Sequence, residues 1–209
     1  METNEEMVDY LLRTEAIDER IAECMLRFPR ADFLPVPQKK HAYEDTPTQI
    51  SNNQTTSAPS MVGIMLREAE ISPGMNILEV GTGSGWQTAL LSCLAGEKGK
   101  VYTLDIFKEI FALAEEELRD FPNVTLLLKD GVKGHPEEAP YDRIIVSAAA
   151  SEPYPELISQ LKEGGILIIP LRSIYFQALF KITKTSRGTE KKEICPVLFV
   201  PMYEGGASP

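Results

Sequence analysis

Glycines at 81, 83 and 85 close the segment Leu78-Glu79-Val80-Gly81-Thr82-Gly83-Ser84-Gly85, which the sequence pattern sets between a short strand and a helix. Gly81 and Gly83 let a backbone turn and approach a ligand with no Cβ in the way, and Gly85 permits close packing of the helix that follows. Asp105 stands 24 residues after Gly81, at the end of the next predicted strand, with Ile106 beside it. From that position a carboxylate can accept hydrogen bonds from both hydroxyls of a ribose. The spacing also discriminates between cofactors. A dinucleotide fingerprint, G-x-G-x-x-G, would need glycine at position 86, where this chain has Trp86. Glu79, a carboxylate beneath the turn, is an awkward neighbour for a pyrophosphate. It suits ordering of the glycine loop, or the cationic amino-acid end of a methyl donor. The arrangement therefore favours S-adenosylmethionine, with Glu79, Gly81, Thr82, Gly83, Ser84, Gly85, Asp105 and Ile106 as candidate binding residues. Asp130-Gly131 follows the third predicted strand at the same carboxyl edge. Asp130 could accept from an adenine amino group while Gly131 lets the backbone come near the ring, although the pair also suits a plain turn.

These residues need elements to hold them. Asn76 to Val80, Val101 to Asp105, Val124 to Leu128, Arg143 to Val146 and Ile166 to Ile169 read as five strands alternating with helices. Their continuous apolar runs predict burial on both faces, as in a parallel sheet covered by helices. Tyr175 to Ile182 and Ile194 to Val200 read as an antiparallel pair separated by polar residues. The expected fold is α/β, Rossmann-like, with N-terminal helices over residues 1–34, a loop region over 35–60, the core over 61–200 and a flexible tail over 201–209. In the N-terminal part Met7, Leu11 and Leu12 share one helical face, Ile21, Met25 and Phe28 another, and Asp18 suits a helix cap. Residues 35–59 carry four prolines among polar clusters. So long a connection with little apolar periodicity points to an active-site cover or substrate loop. Pro59 suits the first turn of the next helix, with Ser57 or Ala58 before it.

Composition narrows the function classes. A net charge of −10 with scattered lysines and arginines argues against a nucleic-acid partner. No run of 18 apolar residues is present and the N-terminus lacks the pattern of a signal peptide, so no membrane partner and a cytoplasmic location are expected. Cys24, Cys93 and Cys195 are widely separated, and with only two histidines they offer no metal-ligand spacing. Three reduced thiols and no metal are the expectation.

The chain also resembles the protein-L-isoaspartate O-methyltransferases from about Pro29 to Pro201. The resemblance rests on Phe28-Pro29-Arg30-Ala31-Asp32-Phe33-Leu34-Pro35, Ala42-Tyr43-Glu44-Asp45, Gln54-Thr55-Thr56-Ser57-Ala58-Pro59, the glycine motif, and Pro140-Tyr141-Asp142-Arg143-Ile144-Ile145-Val146. The glycine motif is common to many methyltransferases; the Gln54 to Pro59 segment is far more diagnostic. The resemblance implies methyl transfer from S-adenosylmethionine to the free carboxylate of an L-isoaspartyl residue in a protein or peptide, with S-adenosylhomocysteine as product and no metal. Methylation makes a better leaving group, so a succinimide can reform and hydrolyse partly to aspartate. Ser57 matches the serine of the family's Q-T-I-S-x-P motif and is the candidate catalytic residue, although it also suits a helix cap and both roles can coexist. Asn52, Asn53, Gln54, Thr55, Thr56, Ala148 and Arg172 are the further candidates for substrate contact. Two departures stand out. Ser51-Asn52-Asn53 replaces a common Gly-His-Gly, and Leu171-Arg172-Ser173-Ile174-Tyr175-Phe176 replaces a glycine-rich turn after Pro170. They leave open a related carboxyl methyltransferase with another substrate, or a donor-binding module with little turnover.

Overall fold

The computed structural model describes residues 1–51 and 54–203. Two helices open the chain, α1 (Asn4–Arg13) and α2 (Glu19–Arg27). Asp18 caps α2 as its side chain accepts from the Ile21 N–H at 2.9 Å. Two short 3₁₀ turns, Arg30–Phe33 and Val36–His41, lead to a small hairpin of β1 (Thr48–Ser51) and β2 (Gln54–Thr56). The described residues of the 35–59 stretch thus form short elements where the sequence pattern predicts only a loop. Asn52 and Asn53 lie outside the described residues.

α3 (Pro59–Ala69) then starts with Pro59 at its first turn. Of the two residues expected before it, Ala58 and not Ser57 is the cap. Ala58 contributes no side-chain bond; the Asp45 carboxylate, reaching from 15 residues upstream, accepts the Ser60 N–H at 2.9 Å.

The α/β core continues through β3 (Asn76–Val80), α4 (Trp86–Ala95), β4 (Lys100–Asp105), α5 (Lys108–Glu117), β5 (Val124–Leu128), β6 (Tyr141–Val146), α6 (Pro155–Ser159) and β7 (Leu161–Arg172). Two antiparallel strands, β8 (Gln177–Thr185) and β9 (Gly188–Val197), complete it. The sheet order is β5-β4-β3-β6-β7-β8-β9, with the first five strands parallel. The chain runs outward from β3 in one direction through β4 and β5, and in the other through β6 and β7. The switch point therefore lies between β3 and β6, where open α/β sheets bind ligands at their carboxyl ends.

Strand periodicity divides the core between the two sheet faces. Ile77, Val101, Ile145 and Ile168 pack with the N-terminal helices and α4, whereas Leu78, Tyr102, Ile144 and Leu167 pack with Tyr154 and Leu157 at the start of α6. Met7, Leu11, Ile21 and Met25 are buried in the first of these clusters, so α1 and α2 belong to the core and do not form a separate unit. The polar stretch expected to separate the last two strands is mostly strand itself, since Thr185 already pairs with Gly188. β9 is an edge strand with an exposed polar face, and hydrophobic periodicity does not register it. Among the described residues no helix is long and apolar enough to cross a membrane.

The expectation of three reduced thiols is corrected. Cys24 of α2 and Cys93 of α4 form a disulfide, and only Cys195 is free. The two cysteines are 69 residues apart in sequence and meet because α2 lies against α4. Cross-linking a loop of that length stabilises a fold by roughly 2–4 kcal/mol. A Cys24→Ala/Cys93→Ala variant should melt about 5–10 °C below the oxidised protein, by differential scanning calorimetry. Equal melting temperatures, together with three titratable thiols in the unfolded, unreduced protein, would rule the bridge out.

Candidate active site

A cavity of about 880 Å³, its open mouth included, lies over the carboxyl ends of β3, β4 and β6. Its lining combines apolar side chains with convergent polar groups, as small-molecule sites do. One wall is the glycine turn. Gly81 has φ +95° and Gly83 φ +56°, left-handed conformations that strain a side-chain-bearing residue. The Gly81 and Thr82 N–H groups donate to the Leu104 carbonyl at 2.8 and 3.2 Å, which clamps the turn to the end of β4. Asp105 completes the clamp: its Oδ2 accepts from the Gly83 N–H at 3.2 Å and its Oδ1 from the Phe107 N–H at 3.0 Å. Both carboxylate oxygens thus accept backbone hydrogen bonds, and Asp105 itself lines the cavity. Burial pushes the Asp105 carboxyl above the usual aspartate range, while backbone donors, first among them Phe107 and Gly83, hold it down.

The opposite wall comes from the hairpin. Gln54, Thr55, Thr56 and Ser57 line the cavity facing the turn, and the Ser84 hydroxyl reaches the Thr56 hydroxyl at 3.5 Å. Arg30 holds this wall in place. Its guanidinium is fully buried and donates to the carbonyls of Ala42, Glu44, Thr46 and Ser57 and to the Thr48 hydroxyl, at 2.9–3.5 Å. Burial lowers its pKa to about 10, partly countered by Asp45, so it remains charged at neutral pH.

Most residues picked out from the sequence meet here: Gly81, Thr82, Gly83, Ser84, Asp105, Ile106, Asp130, Gly131 and Ala148 all line the cavity with the Gln54–Ser57 segment. Three do not. Glu79 lies wholly buried beneath the floor, where it accepts hydrogen bonds from Gln87, Thr88 and Thr103. Burial pushes its carboxyl up to about 7 despite those donors. It does not line the cavity, and it is linked to the glycine turn through Thr103, whose hydroxyl also bonds the Thr82 hydroxyl. Gly85 packs against Leu118, and Arg172 is exposed at the end of β7. Gly131 lines the cavity, and packing against β3 also demands glycine there, since a Cβ would stand 2.2 Å from Val80 Cγ1.

Other lining residues carry no sequence signal. Gln87 donates to both Glu79 and the Ser147 hydroxyl, which links the buried carboxyl to the cavity surface. Val200 to Tyr203 also line it. The tail expected from 201 onward is docked over its first three residues, with the Met202 N–H on the Ala149 carbonyl at 2.9 Å and the Tyr203 ring edge-on to Phe107 at 5.1 Å. The remainder of the expected tail lies outside the described residues.

Residues 2–207 match the family model described as Protein-L-isoaspartate(D-aspartate) O-methyltransferase (PCMT). The chain belongs to this family. A protein-L-isoaspartate O-methyltransferase of Ignicoccus hospitalis is 46% identical over 189 residues, covering 89% of this chain and 90% of the relative. One from Paracoccus denitrificans is 41% identical over 210 residues, covering 98% and 96%. Among solved structures, a Plasmodium falciparum chain assigned as a PCMT, in complex with S-adenosyl-L-homocysteine, superimposes with a TM-score of 0.88 at 28% identity. It covers 98% of this chain and 100% of its own. Family membership thus extends across the departures at Ser51–Asn53 and after Pro170.

Proposed function

We infer that this chain is an S-adenosylmethionine-dependent protein carboxyl O-methyltransferase that esterifies the free carboxylate of L-isoaspartyl residues in proteins or peptides. The observation that carries the reading is the meeting, in one cavity, of the Gln54–Ser57 segment with the glycine turn and Asp105. The S-adenosyl-L-homocysteine complex of the Plasmodium falciparum relative supports the same cofactor here.

The residues fit the donor. Asp105 lines the cavity at the end of β4, where a carboxylate can accept from two ribose hydroxyls, and Asp130 and Gly131 line the same cavity, where they could meet the base. Bound there, S-adenosylmethionine supplies an electrophilic sulfonium methyl group, and S-adenosylhomocysteine is what remains once that methyl has passed to a carboxylate oxygen. The substrate carboxylate needs no base, because it is already ionised near neutral pH. What the protein must do is strip water from that carboxylate and aim one oxygen. Ser57 would do the aiming: its backbone carbonyl is held by Arg30, and helix capping falls to Ala58 and Asp45, which leaves its hydroxyl free of that task. Gln54, Thr55, Thr56 and Ala148 would surround the peptide bearing the carboxylate.

Paired peptides that differ only in having aspartyl or isoaspartyl at one position test the reading. Base-labile methyl incorporation into the isoaspartyl peptide alone is the expected result; incorporation into both, or neither, rejects it. Ser57→Ala should lower kcat/KM on the isoaspartyl peptide about tenfold, the value of one neutral hydrogen bond, and leave donor affinity within twofold. Full activity in that variant would remove Ser57 from the reaction.

A further inference from the structure

We propose that the exposed turn Ile174-Tyr175-Phe176 is a docking platform for apolar side chains flanking the isoaspartyl residue, so that this enzyme prefers damage sites within apolar sequence. The inference rests on the function proposed above and adds a substrate preference to it.

Ile174 and Tyr175 are each 91% exposed, and Phe176 is 59% exposed. Three consecutive large apolar residues facing solvent is a costly arrangement, of the kind that marks interaction sites on soluble proteins. Leu198, 87% exposed, directly follows Val197, the partner of Gln177 where the β8–β9 ladder ends, and adds apolar surface at the same end of the pair.

The turn is built to hold its side chains outward. The Ser173 hydroxyl accepts the Tyr175 and Phe176 N–H groups at 3.3 and 3.2 Å, and the Ser173 N–H donates to the Phe176 carbonyl at 2.8 Å. With its backbone closed on Ser173, the turn has a defined main-chain shape from which the three exposed side chains project, so the backbone itself needs little ordering on binding.

Its position selects the occupant. β7 runs parallel to β6, so the turn rises from the same carboxyl edge as the cavity. On one side, the Arg172 N–H donates to the Ala150 carbonyl, two residues beyond Ala148 in the cavity wall. On the other, the Gln177 side chain bonds both the N–H and the carbonyl of Phe199, next to cavity-lining Val200. The turn is therefore tied on both sides to segments that carry Ala148 and Val200 into the cavity wall. Adjacent strands lie about 4.8 Å apart and an extended chain advances about 3.3 Å per residue, so an extended peptide leaving the cavity would reach the turn roughly three or four residues from the reacting one. An unfolded or damaged polypeptide segment offers the apolar side chains such a surface would cover.

The test uses the full chain and two isoaspartyl peptides. One carries leucine and phenylalanine at the third and fourth positions on either side of the isoaspartyl residue, and the other carries serine and glycine there. The wild-type protein should favour the apolar peptide about tenfold in kcat/KM, mostly through KM. Ile174→Ser/Tyr175→Ser replaces two solvent-facing side chains, so its melting temperature should stay near that of the wild type. In that variant the preference should fall to twofold or less, while the rate on the polar peptide and the affinity for S-adenosylmethionine are unchanged. No preference in the wild type, or the same preference in the variant, overturns the proposal. So does a concentration-dependent dimer that the variant abolishes without altering peptide preference, which would make the patch a contact between copies. Failure of the wild type to methylate either peptide would overturn the functional reading itself, and this inference with it.

Discussion

Replacing Arg30 with methionine should lower the melting temperature by roughly 10 °C or more and raise KM for an isoaspartyl peptide at least tenfold. The guanidinium donates to four carbonyls and one hydroxyl drawn from Ala42 to Ser57. Methionine keeps the apolar stem and leaves those oxygens without their donor. Removing one partner of a buried charged network costs about 3–5 kcal/mol, and each kcal/mol is about 2–4 °C for a domain of this size. The wall carrying Gln54 to Ser57 would loosen while the glycine turn, clamped independently by Leu104 and Asp105, would remain. Donor affinity should therefore fall far less than peptide affinity, a split that calorimetry and steady-state kinetics can measure. Arg30→Lys should fall between, because one ammonium with three donors cannot span five acceptors. If the methionine variant matches the wild type in melting temperature and peptide KM, the hairpin holds itself and Arg30 is not its support.

That buried arginine shows where the sequence ceases to be informative. Gly81, Gly83 and Asp105 could be read directly, because a strand, a turn of φ-positive residues and a carboxylate one strand away are set by local spacing. The five parallel strands could be read for a similar reason, since burial on both faces leaves continuous apolar runs. The hairpin over Thr48 to Thr56 could not. Its strands are four and three residues long, too short for a periodic signal, and its order comes from one side chain bonded to distant backbone carbonyls. Backbone acceptors leave no trace in residue type.

The same reason accounts for the other differences. Pro201 to Tyr203 have the composition of a tail, yet Pro201 bridges to Ala149 and Tyr203 packs on Phe107. The Cys24–Cys93 bridge depends on how α2 crosses α4, which no spacing of two cysteines 69 residues apart can show. Glu79 was legible as a carboxylate beneath the turn, but not as one wholly buried and held by Gln87, Thr88 and Thr103. Nor was Gly131 legible as a packing glycine, since Val80 reaches it only through the fold. Local chemistry was readable from sequence; what each group touches from across the molecule was not.

Asp105→Ala should weaken S-adenosylmethionine binding by two to three orders of magnitude. Two hydrogen bonds from ribose hydroxyls to a carboxylate are removed, each contributing about 1.5–3 kcal/mol, and the Gly83 and Phe107 N–H groups lose their acceptor at the same time. The fold should survive, because Gly81 and Thr82 stay bonded to Leu104. Asp105→Asn separates charge from shape: it retains one acceptor oxygen but turns an amide N–H₂ toward a backbone donor, so most of the loss should persist. Acidity gives an independent check. Burial raises the Asp105 pKa, and only the ionised form can accept from every donor around it. Donor affinity in the wild type should thus be flat at neutral pH and fall on acidification, starting at a higher pH than an ordinary aspartate would impose. A ligand that requires the carboxylate ionised lowers its pKa when bound, so affinity must decline as the free protein takes up the proton. In Asp105→Asn the contribution of this group to the acid limb should vanish. Calorimetric titrations of the three proteins across the pH range decide the matter: an Asp105→Ala variant that is folded and binds the donor as tightly as the wild type would place the ribose elsewhere in the cavity.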